Sequence, residues 1–426
     1  MASRVACRGG NTNSSGGVSV KILLLAEVSV EQVIGGAERV LRNEALGLAA
    51  LGHHVELMTR APEKASRGMI EVNGIREWRY PVSRTHEAAF VWSSIRQSVL
   101  CFDRLRTTEP LDVVIIHQSM AGLGPIVFRR HAASRWIYLC HSLAHEEYDT
   151  RQPPARSGLT GLRRNLNLHA RRAVERAVIS RCDRVVVLSQ FMRQRAMKAH
   201  GISADRMGQI PGAVDPRTFV CTPNRRHAKT VLDLPPDRTV LFTVRNLVSR
   251  MGLENLLNAL EMLVVARRDV LLVIGGEGPL RKQLHEDIRR KGLNDYVRLT
   301  GFIPEGQLTH YYQAADLVVV PSLQLEGFGL VIVEAMACGT PVLGTPIGAI
   351  PEILNQVHPI LVADGTDGPS IARALERVLR HIQEPGEAAR LARKGRELVE
   401  HRYNWSNHCA DLVRLLEEPT PLRLAA

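Results

Sequence analysis

Short apolar runs that alternate with helical stretches constrain the fold more than any other feature of the sequence. The first run is SVKILLLAEV (19–28), typical of a buried strand; glycines, a helical apolar pattern that ends near Gly52 and a second strand, HHVELMTR, follow it. A strand, a loop, a helix and a strand in this order require a parallel sheet. Three similar runs follow: LDVVIIHQ (111–118), SRWIYLCH (134–141) and CDRVVVLS (182–189). The first half of the chain is therefore predicted to be a doubly wound α/β domain.

The same alternation restarts after a segment that is rich in proline, arginine and aspartate. Residues 213–237 show little periodicity and are interpreted as a linker between two domains. The strands RTVLFTVR, DVLLVIGGEGP, YVRLTGFI, DLVVVPS and TPVLGTP then follow, separated by helices. We therefore predict an N-terminal domain over 19–212 and a C-terminal domain over 238–396. Residues 1–18 are expected to be a disordered leader, and 397–418 a C-terminal helix that crosses back to the N-terminal domain.

Composition narrows the classes of function. No apolar run approaches the roughly 20 residues needed to cross a bilayer, and the N-terminus lacks the apolar segment of a secretory signal. The seven cysteines are scattered without metal-ligand spacing, which indicates free thiols in a reducing cytoplasm. The formal net charge of +12, carried mostly by arginine, fits two explanations: the codon bias of a high-GC genome, or anionic partners such as phosphate, a membrane surface or nucleic acid.

One glycine-containing loop carries two glutamates. In PSLQLEGFGLVIVEAMACGTPVLGT (321–345), Glu326 and Glu334 enclose a short glycine loop and the start of an apolar helix. The loop follows the strand DLVVVPS, and doubly wound sheets bind ligands at the carboxyl ends of their strands. Gly327 and Gly329 expose backbone amides, and the helix adds its positive N-terminus, so the loop suits a phosphate. Carboxylates repel phosphate but accept strong hydrogen bonds from sugar hydroxyls. A diphosphate between two sugars, which is a nucleotide sugar, therefore fits this segment.

The motifs of this chain resemble those of a large enzyme family. The pattern PS-x3-EGFGL-x3-EAMACGTPV-x-GT-x-IGAIPE resembles the donor-site signature of the retaining glycosyltransferases of family four. The segments GGAERV, LCHSLAHEEY, IGGEGPLRKQL and GF-x8-YYQAADLVVVPS extend the resemblance over nearly the whole chain. The resemblance implies the GT-B fold, in which two Rossmann-like, doubly wound α/β domains face each other across a cleft. It also implies transfer with retention of configuration at the anomeric carbon.

The resemblance further implies roles for residues of the glycine loop. Glu326 would bind hydroxyls of the transferred sugar and is the first catalytic candidate. The backbone amides of Phe328 and Gly329 would lie nearby, and Leu330 belongs to the same donor-binding stretch. Glu334 would hold the ribose hydroxyls of the nucleotide.

Two segments of the N-terminal half complete the site that the resemblance implies. Gly35 and Gly36 would form a flexible loop over the diphosphate and the acceptor. His141, at the end of a strand, would lie beside the reacting sugar and is a second catalytic candidate. For His145 and Glu146, which follow, two interpretations stay open: contact with the acceptor, or the solvated start of a helix.

The phosphate-binding element departs from the usual family pattern. That element usually reads Gly-Arg-Leu followed by Lys-Gly, whereas this chain has VRNLVSRMGLENLL. Asn246 and Met251 occupy the usual cationic positions, and the cations are displaced by one residue to Arg245 and Arg250. A shift within a loop can be absorbed, but a shift within a strand turns the side chain to the other face. We therefore expect Arg250 to be the catalytic cation at the diphosphate. Arg245 and Asn246 remain weaker donor-binding candidates, with Arg245 on the opposite face.

The expected chemistry needs no cofactor besides the nucleotide sugar. Stabilising the negative charge of the leaving diphosphate is the main catalytic task. A metal would need clustered carboxylates or histidines, and no DxD motif follows a suitable strand, so we predict a metal-independent enzyme. The departing phosphate oxygen can itself take the proton of the acceptor. UDP- and GDP-linked sugars both fit the donor site.

The acceptor stays open at this level. A cell-envelope glycan or lipid fits, and so does a polyol or aminocyclitol of a natural-product pathway such as antibiotic biosynthesis. The segment 158–182 is a basic amphipathic helix that suits contact with the inner face of a membrane or simply covers the sheet. A nucleic-acid-binding or other anion-binding basic protein without catalysis is disfavoured, because aromatic residues make up only 4% and the arginines are dispersed. A glycoside hydrolase is disfavoured because eight helical steps separate two glutamates by roughly 12 Å.

Overall fold

Two parallel sheets form the framework of the protein. The structure, a computed structural model, describes residues 19–31, 35–63, 67–106, 110–151, 159–222 and 224–418. The predicted leader, 1–18, lies outside these residues. Within the described ranges, the strands of the first sheet lie between residues 21 and 209, and those of the second between 239 and 344.

The first sheet contains eight strands among the described residues. They are β1 (Lys21–Ala26), β2 (His54–Arg60), β3 (Gly68–Val72), β4 (Ile75–Tyr80), β5 (Leu111–Ile116), β6 (Ala133–Cys140), β7 (Arg184–Val187) and β8 (Met207–Gln209). Their order is β3-β4-β2-β1-β5-β6-β7-β8. Every neighbouring pair is parallel except β3 with β4. All six residues of β1 are buried, as expected for the central strand of a sheet covered on both faces.

Helices cover both faces of this sheet. They are α1 (Gly36–Ala50), α2 (Glu87–Arg106), α3 (Ser119–Phe128), α4 (Ala144–Arg151), α5 (Leu159–Ile179) and α6 (Gln190–His200), with 3-10 turns at Arg130–Ala132 and Ala204–Arg206. Helix α1 is an example of an amphipathic helix: its buried apolar residues, Val40, Leu41, Ala45 and Leu48, recur at helical spacing and so share one face. Its N-terminus points to the carboxyl end of β1, which brings the glycines of GGAERV to the edge where ligands bind.

The antiparallel pair β3–β4 was missed by the sequence analysis. It is a hairpin whose two-residue loop is Asn73–Gly74, with φ angles of 52° and 78°. Such a turn needs positive φ at both positions, which Asn-Gly tolerates best, so an Asn-Gly pair between β-rich runs was the available signal.

The second sheet has five parallel strands in the described part of the chain. The elements are α7 (Arg225–Val231), β9 (Thr239–Val244), α8 (Leu253–Ala266), β10 (Val270–Gly275), α9 (Arg281–Arg290), β11 (Val297–Gly301), α10 (Glu305–Ala314), β12 (Leu317–Val320), α11 (Leu330–Ala337), β13 (Val342–Gly344), α12 (Ile350–Val357), α13 (Gly368–Gln383), α14 (Glu387–His401) and α15 (Trp405–Glu417), with 3-10 turns at Ser249–Met251 and Pro359–Leu361. The order of the strands is β11-β10-β9-β12-β13.

The C-terminal segment is two helices where one was expected over 397–418. Helix α14 ends at His401, and α15 begins after Asn404, whose side chain accepts a hydrogen bond of 2.9 Å from the amide of Asn407. Helix α15 packs against α1 of the first domain through His408 and Cys409.

The expected linker, 213–237, also contains a helix, α7. Among the described residues, no helix is both long enough and apolar enough to span a membrane.

Candidate active site

The glycine loop of the C-terminal domain packs directly against the N-terminal domain. The hydroxyl of Ser189, at the end of β7, donates a 2.6 Å hydrogen bond to the carbonyl of Gly327. A Cβ on Gly327 would lie 2.7 Å from the carbonyl oxygen of His141, at the end of β6, so only glycine fits there. Glu352 of α12 adds a second bridge by accepting hydrogen bonds from the backbone amides that begin α6. The carboxyl edges of the two sheets therefore meet around this loop.

The path of the loop is unusual just before its first glutamate. Leu325 has a φ of +54°, which costs a residue with a side chain roughly 1–2 kcal/mol. Gly329, with φ of +91°, ends the loop and caps the N-terminus of α11. The carbonyl of Glu326 accepts a 2.9 Å hydrogen bond from the amide of Ala349, which fixes the loop on the start of α12. This path places Glu326 between the strand end and the N-terminus of α11.

Glu326 is held as a carboxylate within its own domain. Its Oε2 accepts a hydrogen bond from Arg245 and another, of 2.7 Å, from the hydroxyl of Ser322. Burial opposes ionisation, but the charge of Arg245, the two hydrogen bonds and the charge of Arg250 hold the pKa of this carboxyl below its ordinary value. Glu326 is therefore a hydrogen-bond acceptor at neutral pH, as binding of sugar hydroxyls requires.

The expectation that Arg245 lies on the opposite face is wrong. Its side chain is buried and contacts both Ser322 and Glu326. The physical reason is that β9 ends at Val244, and alternation of side chains between faces holds only within a strand. A residue just beyond the strand end is free to turn toward the ligand edge.

Arg250 also contacts the glycine loop. Its Nη1 is 3.5 Å from the carbonyl oxygen of Leu325, and its Nη2 is 4.0 Å from Oε1 of Glu147 on α4. Met251 is buried, and Asn246 is exposed. The structure thus brings both displaced arginines to the loop, Arg245 within the C-terminal domain and Arg250 at the boundary between the domains.

Glu334, on α11, has partners from both domains. Its Oε1 accepts a hydrogen bond from Arg39 of α1, and its Oε2 accepts one of 2.7 Å from the hydroxyl of Tyr312. Nε of Arg39 also lies 2.9 Å from Oε1 of Glu305. Burial opposes the charge of Arg39, but the two carboxylates outweigh it, so the pKa of the guanidinium rises above its ordinary value. The sequence analysis missed Arg39 and Tyr312, although GGAERV contains the arginine.

The helix that begins at Gly36 brings the two donor-binding segments together. A Cβ on Gly36 would lie 3.4 Å from a methyl group of Leu330, so the start of α1 faces the start of α11. Gly35 donates its amide to Glu38 at 3.1 Å, and residues 32–34 lie outside the described residues. Phe328 points elsewhere: its ring packs on Gly212 and on Tyr403, with 5.6 Å between ring centres. Its side chain therefore has a structural role, and only its backbone lies on the loop.

A cavity of about 310 Å³ lies beside Glu334, between the two domains. Its lining includes Arg39, Glu305 and Glu334 together with the aromatic side chains of Phe219 and Trp405. Because Glu334 lines the cavity, the cavity adjoins the predicted ribose contact.

His141 is a neutral side chain at the end of β6. Its Nε2 lies 3.0 Å from Nδ1 of His117, and the two rings stack with 5.2 Å between their centres. Burial and the neighbouring His117 lower the pKa of His141 to about 3. It can therefore exchange hydrogen bonds with a sugar hydroxyl but carries no charge at neutral pH.

Neither interpretation of His145 matches the structure. The side chain is buried and hydrogen-bonded to Glu175 of α5, whose other oxygen accepts a 2.6 Å hydrogen bond from the amide of Ala144. These contacts anchor the start of α4. Glu146 forms a two-pronged ion pair with Arg195 on α6, at 2.6 and 2.9 Å.

One group of metal-ligand side chains occurs in the part of the chain that the structure describes. It consists of His145, Glu175 and His200, whose ligand atoms lie within 4.8 Å of one another. His145 and Glu175 are hydrogen-bonded to each other. As they stand, these residues connect α4, α5 and α6.

The two Rossmann-like domains meet around a glycine loop. Carboxylates and arginines lie on one side of this loop and a histidine lies on the other. This arrangement is that of a GT-B glycosyltransferase. Residues 34–218 match the family described as Glycosyltransferase Family 4, and residues 224–398 match Glycosyl transferases group 1. The chain therefore belongs to glycosyltransferase family four. The predicted GT-B fold and enzyme class are confirmed, and the hypotheses of a glycoside hydrolase and of a non-catalytic nucleic-acid-binding protein are wrong.

Three known proteins illustrate the relationship. The GDP-mannose-dependent alpha-(1-6)-phosphatidylinositol monomannoside mannosyltransferase of Mycolicibacterium smegmatis is 30% identical over 303 residues, which are 70% of this chain and 73% of that protein. The D-inositol 3-phosphate glycosyltransferase of Xylanimonas cellulosilytica is 27% identical over 92% of this chain and 93% of its own. Sucrose-phosphate synthase from Thermosynechococcus elongatus shares the fold with a TM-score of 0.78, at 24% identity over 93% of this chain and 98% of that chain.

Proposed function

We propose that this enzyme transfers a sugar from a UDP- or GDP-linked donor to an acceptor hydroxyl, with retention of configuration and without a metal. The observation that carries the proposal is the ionised Glu326, held by Arg245 and Ser322 at the N-terminus of α11. A fixed carboxylate beside two arginines and a helix N-terminus combines acceptors for sugar hydroxyls with positive charge for a diphosphate. The M. smegmatis relative, whose name specifies GDP-mannose, supports a nucleotide-sugar donor.

In this proposal the donor lies across the start of α11. Glu326 binds hydroxyls of the transferred sugar, with the amides of Phe328 and Gly329 nearby. The diphosphate lies between Arg245 and Arg250. The ribose reaches Glu334 by replacing the hydrogen bond that Arg39 donates to that carboxylate. The segments around Gly35 and Leu330 enclose the donor, and Asn246 remains a donor-binding candidate at the exposed rim.

The chemistry follows from where charge develops. As the bond between the anomeric carbon and the diphosphate breaks, negative charge grows on the leaving oxygen, and the arginines and amides stabilise it without reorganising. The acceptor attacks from the face that the diphosphate leaves, and the departing phosphate oxygen takes its proton. His141, neutral and beside Gly327, hydrogen-bonds a hydroxyl of the reacting sugar.

For the acceptor, we propose a cyclic polyol, either free as its phosphate or as part of a lipid. The names of the two relatives above, which specify phosphatidylinositol monomannoside and D-inositol 3-phosphate, support this class. In this proposal the acceptor approaches from the side of α4, where Glu147 of the N-terminal domain lies 4.0 Å from Arg250, the proposed contact of the diphosphate. This class of acceptor covers both the lipid and the cyclitol that were expected from the sequence.

A lipid acceptor would need contact with a membrane surface, and α5 has a suitable face. Leu162 and Leu166, one turn apart, are each 69% exposed, and Arg163 between them is also exposed. Trp92 of α2 is a further exposed apolar side chain in the same domain, and the start of α2 lies beside α5 through an ion pair of 3.9 Å between Glu87 and Arg163. Apolar side chains flanked by arginines favour an anionic lipid surface.

The transfer reaction is tested by incubating the enzyme with UDP- and GDP-sugars and inositol phosphate. We expect one nucleotide to raise the thermal transition, and an α-linked donor to give an α-glycoside by NMR. An inverted anomer would contradict retention. Absence of product both with inositol phosphate and, in a second incubation, with phosphatidylinositol would contradict the acceptor class. Sedimentation with phosphatidylserine vesicles tests the membrane contact: the double variant Leu162→Gln, Leu166→Gln should remain in the supernatant, and unchanged sedimentation would exclude this face.

A further inference from the structure

A buried carboxylate that the proposed chemistry does not use lies behind His141. Glu44 of α1 is fully buried. Its Oε1 lies 3.3 Å from Nε2 of His117, and its Oε2 lies 3.4 Å from Nε2 of His408 on α15. Nδ1 of His117 in turn lies 3.0 Å from Nε2 of His141. These four side chains form a continuous polar chain from the C-terminal helix to the candidate active site, which we call the histidine chain.

The outer end of the histidine chain is an ion pair. Nδ1 of His408 lies 2.7 Å from the carbonyl oxygen of Pro211, which can only accept a hydrogen bond, so this nitrogen carries a proton. Burial opposes the charge of His408, but Glu44 and the carbonyl raise its pKa above the ordinary value. Burial likewise opposes ionisation of Glu44, and His117 and His408 hold its pKa well below the ordinary range. The pair is thus a carboxylate and an imidazolium without net charge.

When His117 is neutral, the inner end of the chain has one consistent arrangement of protons. Nε2 of His117 lies 3.3 Å from Oε1 of Glu44, within ion-pair distance, although the angle is outside that of a hydrogen bond. A carboxylate oxygen attracts an N–H and repels a ring lone pair, so this position favours the tautomer of His117 in which Nε2 carries the proton. In a neutral His117 the other nitrogen, Nδ1, is an acceptor. His141 must therefore present Nε2–H to it, and Nδ1 of His141 is left without a proton.

We propose that Glu44 is a positioning residue for glycosyl transfer, which through His117 fixes one tautomer and one ring orientation of His141. His408 keeps the carboxylate ionised, so helix α15 contributes to the active site although it touches no substrate. The consequence for the reaction is specific: His141 accepts a hydrogen bond from a sugar hydroxyl through Nδ1. This inference rests on the proposed function, because it assumes that His141 acts beside the reacting sugar.

The first experiment replaces the carboxylate. Glu44→Leu removes the acceptor that orients His117, and we expect kcat to fall about 10- to 100-fold with little change in KM, as when a partner that orients a ligand-binding imidazole is lost. Glu44→Gln should recover most of this loss relative to Glu44→Leu, because its amide oxygen can still accept from His117 while its NH2 group donates to a neutral His408. As a matched control, Glu56→Leu removes another buried carboxylate of the same domain, paired with Arg76, and should leave kcat unchanged.

A double-mutant cycle separates positioning from a purely structural role. If Glu44 acts through His141, Glu44→Leu has no further effect on kcat in a His141→Ala background. Equal losses in both backgrounds would overturn the proposal, and so would an unchanged kcat in a folded Glu44→Leu. The proposed function fails differently: if transfer does not occur at this site, His141→Ala itself leaves the glycoside yield unchanged.

A spectroscopic measurement needs no destabilising variant. In protein labelled with 15N-histidine, the signals of His141, assigned by their loss in His141→Ala, should show a protonated Nε2 and an unprotonated Nδ1 at neutral pH. The opposite tautomer, or a mixture of both, would overturn the proposal even if Glu44→Leu does not fold.

Discussion

The two glutamates of the glycine segment share a helix start but differ in how they are held. Glu326 is paired within the C-terminal domain, by Arg245 and Ser322. Glu334 is paired across the cleft, by Arg39 of the other domain and by Tyr312 of its own. The first carboxylate is therefore preorganised whatever the relative position of the domains, whereas the environment of the second depends on their contact. This difference predicts that Glu326 serves the chemical step and that Glu334 serves nucleotide binding.

The largest effect should come from Glu326→Ala. We expect transfer to be nearly abolished, with a loss of at least about 100- to 1000-fold in kcat, because a preorganised group is removed from the reacting sugar. Binding of the free nucleoside diphosphate, measured by calorimetry, should be retained. An equal loss of diphosphate affinity would show that Glu326 faces the nucleotide and would remove the contrast between the two glutamates.

Variants of Arg245 and Arg250, the two arginines near Glu326, test its role in the chemical step. Arg250→Ala should reduce kcat by a factor of about 100 to 1000, as for other fixed charges at a leaving group. Arg245→Ala should reduce kcat similarly but should also lower stability by about 3–5 kcal/mol, because it leaves Glu326, which is largely shielded from solvent, without its ion-pair partner. Steady-state kinetics and urea unfolding of both variants measure these effects. A silent Arg250→Ala beside an inactive Arg245→Ala would assign the diphosphate to Arg245 alone.

Glu334→Ala should act on binding and leave turnover nearly intact. Loss of a charge-assisted hydrogen bond to ribose costs about 1.5–3 kcal/mol, or roughly one to two decades in the Kd of the nucleotide. Titration calorimetry with the diphosphate measures this value. For the matching 2′-deoxynucleotide, which lacks one ribose hydroxyl, the difference in Kd between the variant and the wild type should be smaller. A large fall in kcat at saturating donor would contradict the division of roles.

Arg39→Leu should raise nucleotide affinity, and by less than Glu334→Ala lowers it. The hydrogen bond from Arg39 occupies Glu334 before the ribose arrives, so its removal should improve nucleotide affinity by about two- to tenfold, the net value of one hydrogen bond. Arg42→Leu is the matched control, because Arg42 pairs with Glu305 at 2.8 Å without contact to Glu334 in the described structure. Weaker binding in Arg39→Leu would mean that Arg39 itself binds the nucleotide.

Chelation should have the smallest effect. We expect full activity in EDTA, since the charge at the diphosphate is met by Arg245, Arg250 and backbone amides. Initial rates with and without EDTA, and after addition of magnesium or manganese, check this expectation. Loss of activity that either metal restores would contradict a metal-independent mechanism.

Much of the site was accessible from the sequence because its elements are local. A glycine loop after an apolar strand and before an apolar helix predicted the position of Glu326 and Glu334, and a strand end predicted that of His141. The direction of Arg245 was wrong because alternation was carried one residue beyond the end of β9. The Asn73–Gly74 hairpin was missed although its signal is local.

The sequence by itself determined the two parallel-sheet domains and the loops that end their strands, because the periodicity of apolar residues and the backbone freedom of glycine act over a few neighbouring positions. Only the tertiary structure decided which charges meet. Arg39 and Glu334 are 295 positions apart, and Glu44 and His408 are 364 apart. Contacts of this kind arise when two independently patterned domains and a returning helix pack together, and no local pattern encodes them. A buried carboxylate such as Glu44 is stable only beside the partners that this packing brings to it.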